Sequence, residues 1–88
     1  MDQVREKALM KQFGENLKKI RNERNLTVRA LADLADMDYT NISNIENGQS
    51  NPSMTTVIFL AEALQVDPAQ LLPSGKKGWF DGAKHVLT

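Results

Sequence analysis

Residues Leu26 to Gly48 read LTVRALADLADMDYTNISNIENG, and this stretch decides the fold. Advancing by about 100° per residue places Leu31, Ala32 and Ala35 on one face of a first short helix and Ile42 and Ile45 on one face of a second. Met37 falls between them, at an apolar hinge. Thr27 stands where an N-cap oxygen is needed, and Asp36 where the chain must turn through positive φ. Asp38 is placed to cap the second helix and Gly48 to end it. Two amphipathic helices closing on each other across a tight turn make a helix-turn-helix arrangement.

Outward from this core the pattern remains helical. Val4, Ala8 or Leu9, Phe13, Leu17 and Ile20 recur at steps of three and four, predicting a first helix from near Asp2 or Val4 to Asn22 or Glu23. The part before Gln12 reads as an extension, either an arm or part of a dimer contact. Gly14 interrupts this helix at a cost of roughly 1 kcal/mol against alanine, and Asn25 suits the left-handed turn that ends it. Ser53 caps a fourth helix with Met54, Val57, Ile58, Ala61 and Leu64 as its apolar stripe. Asp67-Pro68, a cap followed by a proline at the first helical position, predicts a short fifth helix including Leu71. The expected organisation is an N-terminal extension over 1–12, an all-α domain over 13–72 and a tail over 73–88. In that tail SGKKG reads as a flexible linker.

Composition narrows the classes. Eighty-eight residues suffice for one domain, and a chain of this size buries only about 60% of its unfolded surface. A partner subunit is therefore a natural source of further burial. The chain has no cysteine, which excludes disulfides, thiolate metal sites and cysteine nucleophiles. No apolar run reaches membrane-spanning length, and the charged N-terminus lacks the apolar core of a signal peptide, so a soluble cytoplasmic protein associated with the nucleoid is expected. Formal net charge is zero, yet residues 1–29 hold eight basic groups against four acids, and residues 30–75 hold six acids and no Lys or Arg. Such asymmetry suits either a local phosphate-attracting field or a solvated basic helix beside an acidic bundle.

The span from about Phe13 to Leu72 resembles the lambda-repressor-like (Cro/repressor, XRE) helix-turn-helix domains. The matching marks are FGENLKKIR in helix one, LTVRALA at helix two, ISNIENG closing helix three, and NPSMTTVIFLAEALQVD with Leu71 beyond. The resemblance implies a five-helix, all-α DNA-binding fold whose third helix, about 38–47, enters the major groove. It further implies Tyr39, Thr40 and Asn44 as base contacts, with Asn41 and Ser43 beside them. Three departures bear on phosphate contacts and affinity rather than on the fold. Val28 stands where the family often has glutamine, Asp36 where it has glycine, and the reading helix carries neither Arg nor Lys.

An amide side chain bonds adenine at N6 and N7 together and threonine meets the thymine methyl, so this face suits an operator with A·T content. Phosphate contacts are expected from Thr27 and Arg29 at helix two and from Asn47, Gln49, Ser50 and Asn51 after helix three, with Lys18, Lys19, Arg21 and Arg24 as further cations. Glu46 reads as structural, bonding nearby backbone or an arginine of helix one. Phe59, Trp79 and Phe80 have no evident place in a five-helix core. They suggest a homodimer on an inverted-repeat operator, or a Trp79 that folds back over Phe59.

Three functional readings stay open. The first is a transcription regulator, most often a repressor in this family, with restriction-modification controller proteins as a close subtype. The second is an antitoxin-like module that binds a partner protein. An enzyme is the third: His85 is the sole histidine and lies in the tail, and although Asp33, Asp36 and Asp38 are close in sequence, cap and turn duties account for Asp36 and Asp38, so no catalytic residue, cofactor or metal is expected.

Overall fold

In the computed structural model the described residues are 3–73. They form α1 (Gln3–Glu23), α2 (Val28–Ala35), α3 (Tyr39–Glu46), α4 (Met54–Leu64) and a 3₁₀ turn at Pro68–Gln70. No helix among them is long and apolar enough to cross a membrane. Phe13 and Leu17 of α1, Leu31 and Ala32 of α2, Ile42 and Ile45 of α3, Leu60 and Leu64 of α4, and Leu71 share one core. α1 packs on α3, α2 on both α3 and α4, and α4 on the 3₁₀ turn.

All four helices stop by the same device. Asn25, Asp36, Gly48 and Gln65 take positive φ. The next amide then reaches back five residues: Leu26 to Arg21, Met37 to Ala32, Gln49 to Asn44 and Val66 to Ala61, at 2.9–3.1 Å. This is the Schellman arrangement, which satisfies otherwise orphaned carbonyls and is commonly accompanied by an apolar contact from the residue after the left-handed one. Leu26, Met37 and Val66 make that contact, packing against the core. After α3 the corresponding residue is Gln49, polar and exposed.

The sequence expectations need four corrections. In place of a fifth helix there is a single 3₁₀ turn, capped by the Asp67 carboxylate accepting from the Ala69 amide at 2.9 Å. Leu71 turns into the core directly after it, and Pro73 disfavours a helical conformation at Leu72, so the helix cannot extend. On α4 the buried stripe is Leu60, Ala61 and Leu64 with Val57 beside it, while Met54 (77%), Ile58 (39%) and Phe59 (48%) are exposed. These three lie outside that buried stripe, because the helix offers the core one side only. Val4 is likewise exposed, since α1 runs past the end of the core. Asp38 has the backbone conformation of a cap but makes no side-chain cap bond, and its side chain stays in solvent.

Candidate nucleic-acid interface

α3 is short, and its orientation depends on how its ends are held. Ile42 and Ile45 are buried beneath it. At its C-terminal end Gly14 of α1 lets the two backbones touch. A Cβ built there would lie 2.6 Å from the Glu46 carbonyl oxygen and closer still to that of Ile45. The glycine that weakens α1 as an isolated helix is thus what permits the crossing. Beside it Glu46 accepts two hydrogen bonds from Arg21, from Nε at 2.6 Å and Nη2 at 3.1 Å. The third guanidinium nitrogen, Nη1, donates to the Leu26 carbonyl at 2.7 Å. One buried arginine therefore fastens the end of α3 to α1 and to the α1–α2 turn.

The expectation that Glu46 serves an arginine of helix one holds. Arg21 and Arg24, however, are engaged within the fold rather than standing with the outlying cations. Arg21 is buried with Glu46, and Arg24 donates from Nε to the Leu64 carbonyl at 2.9 Å, closing the end of α4. The sequence carried a signal for Arg21, which lies four residues after Leu17 on the buried stripe. Arg24 carried none, because its partner is forty residues away.

The other side of α3 faces outward. Tyr39, Thr40, Asn41 and Asn47 are exposed, and Ser43 and Asn44 are half-buried between them and the core. Thr27 accepts from the Ala30 amide at 3.0 Å, capping α2 as its position suggested. Arg29, one residue into α2, lays its guanidinium carbon 4.9 Å from the centroid of the Tyr39 ring. Such an exposed cation–π contact is worth about 0.5–1 kcal/mol. The fold thus joins a residue expected to anchor with one expected to read, a contact that no local pattern announces. Gln49 and Asn51 are exposed and Ser50 half-buried in the segment leaving α3. Because no side chain caps α3, its N-terminal amides are not taken by its own cap residue. Among the described residues no group of three or more His, Asp or Glu side chains is arranged to hold a metal. Phe59 is exposed on α4, whereas Trp79, Phe80 and His85 lie outside the described residues.

Residues 17–71 match the helix-turn-helix family HTH_3, and the chain belongs to that family. Over 58 residues it is 45% identical to the HTH-type transcriptional repressor RghR of Bacillus subtilis, a match covering 65% of this chain and 43% of RghR. It is also 34% identical over 60 residues to the control protein C.SmaI of Serratia marcescens, covering 68% of this chain and 71% of C.SmaI. The crystal structure of the restriction-modification controller protein C.AhdI from Aeromonas hydrophila superposes with a TM-score of 0.70 at 32% identity. That likeness covers 72% of this chain and 96% of C.AhdI.

Proposed function

We propose that this chain is a sequence-specific, double-stranded DNA-binding transcription regulator, a repressor, that reads the major groove with α3 and works by binding rather than by catalysis. The observation that carries the reading is the outward face of α3: polar, uncharged, and held in place by Gly14 and the Arg21–Glu46 pair. Tyr39, Thr40, Asn41, Ser43 and Asn44 contact base edges. Thr27, Arg29, Asn47, Gln49, Ser50 and Asn51 contact phosphate on either side. With no Lys or Arg on α3 itself, few counterions are released, and affinity falls less steeply with salt than for a basic repressor.

Two copies associate through α4, which leaves Met54, Ile58 and Phe59 exposed. Their reading helices then engage half-sites one helical turn, about 34–36 Å, apart on an inverted repeat with A·T content. The test is selection from a randomised duplex library at two salt concentrations with wild type, Asn44→Ala and Arg29→Ala. Wild type should enrich such a repeat. Asn44→Ala should lose discrimination at particular base pairs, by about 1–3 kcal/mol each. Arg29→Ala should weaken all sequences alike and flatten the salt dependence. No enrichment at low salt would overturn the reading in favour of a partner-protein-binding module of the antitoxin kind.

Within this class a restriction-modification controller is the favoured subtype, because the likeness to C.AhdI runs through almost all of that protein. A selected operator that recurs upstream of the protein's own gene and a neighbouring endonuclease gene would support it. An operator found only at unrelated promoters would not.

A further inference from the structure

The N-terminal half of α1 does not rest on the core but stands over a cleft of about 460 Å³. Its walls are Leu9, Met10 and Phe13 from α1, Val57 from α4, and Leu72 and Pro73 at the end of the described chain. Asn51 and Pro52, from the segment after α3, complete the lining together with Arg5 and Glu6. Phe13 is buried, whereas Leu9 and Leu72 keep 39% and 47% of their surface exposed, so the cleft is an apolar slot with both lips open. Asn16 holds its shape by donating from Nδ2 to the carbonyls of Leu71 and Leu72, each at 3.1 Å.

We propose that the occupant of this slot is the chain's own tail, with Trp79 as the inserted side chain. Three observations converge. The described chain ends at Pro73, which is itself a wall of the slot, so the tail starts at the site. Five residues, SGKKG, separate Pro73 from Trp79, and a Gly/Ser-type sequence of those six steps has a mean span of about 13 Å, enough to leave the wall and double back into it. The intervening SGKKG supplies two glycines for that reversal. A short tether holds the indole at an effective concentration in the millimolar range, so even weak affinity for the slot keeps it filled. The apolar stripe on α4 is thereby left to a second copy, and the docked tail lies against the segment carrying Asn51.

Trp79 is the only tryptophan in the chain, so the fluorescence of the intact protein reports its surroundings directly. The experiment compares emission and acrylamide quenching of wild type, Leu9→Glu, Leu72→Glu and Phe59→Glu over a dilution series, with helicity confirmed by circular dichroism. Both lip residues are partly exposed, so a charge at either is compatible with folding, and the two variants check each other. The expected result is blue-shifted, quench-protected emission in wild type and in Phe59→Glu, unchanged on dilution. In both lip variants it shifts to the emission of the denatured chain. Wild-type emission already at the denatured position overturns the proposal. So does protection lost only in Phe59→Glu, which places the indole on α4, or protection lost on dilution, which makes the occupant a second copy's tail.

Discussion

At the residue scale, two positions run against the usual logic of glycine and left-handed backbone. Gln65 holds φ of 58° with a full side chain, while Gly14 sits inside a helix where alanine is intrinsically better by about 1 kcal/mol. Each position therefore makes the opposite prediction from its neighbourhood. Gln65→Gly should raise stability by about 0.5–1 kcal/mol, since a left-handed conformation penalises a Cβ and the gain is offset in part by glycine's larger unfolded-state entropy. Gly14→Ala should lower it by about 1–3 kcal/mol, because the new methyl meets backbone carbonyls that cannot rotate away. Urea denaturation midpoints at constant slope test both. Equal and positive shifts would show that α1 and α3 are not held in contact at Gly14.

Element by element, the decisive question is what keeps an eight-residue α3 in a single orientation. It is too short to be stable alone, and its own capping residue makes no side-chain bond. The Arg21–Glu46 pair supplies the restraint, with side chains only 10% and 5% exposed. Removing one partner of such a pair leaves a buried charge uncompensated, so Glu46→Ala should destabilise by about 3–5 kcal/mol. Replacing both, as Arg21→Met with Glu46→Leu, should recover much of that loss, though Leu26 then loses its donor. Thermal melts of the two variants distinguish this from a merely local role. Little loss in Glu46→Ala with a large loss in the double variant would mean that the guanidinium's bond to the Leu26 carbonyl, not the ion pair, holds the turn. Part of this was legible in advance. Glu46 ends a polar helix at the point where a partner on helix one is in reach, and Arg21 continues the stripe of Phe13 and Leu17.

For the whole molecule, the apolar residues that the core rejects are as informative as those it accepts. Met54, Ile58 and Phe59 lie exposed on α4, and the proposed dimer covers them. Phe59→Glu should therefore produce monomer by sedimentation equilibrium at concentrations where wild type is dimeric. It should also weaken binding to a full inverted repeat far more than to a half-site, because the two half-sites are then no longer engaged as one unit. Wild type that sediments only as monomer at high concentration would remove the dimer.

By itself the sequence determined most of the helix boundaries set by local chemistry, the Gln65 stop of α4 and the uncapped start of α3 excepted. Thr27 and Ser53 as caps, Asn25, Asp36 and Gly48 as left-handed stops, and Asp67-Pro68 as a start signal all act over distances of a few residues, within reach of a side chain and its neighbouring amides. The paired isoleucines of α3 and the leucines flanking them declared the core for the same reason, through periodicity. Only the tertiary structure decided which side of α4 is buried, that the last helix collapses to one 3₁₀ turn, and that Gly14 is a contact rather than a flaw. It alone placed Arg24 on Leu64 and Arg29 on Tyr39. Each of these depends on surfaces brought together from distant parts of the chain, and a period of 3.6 residues says which side chains share a face but not what that face will meet.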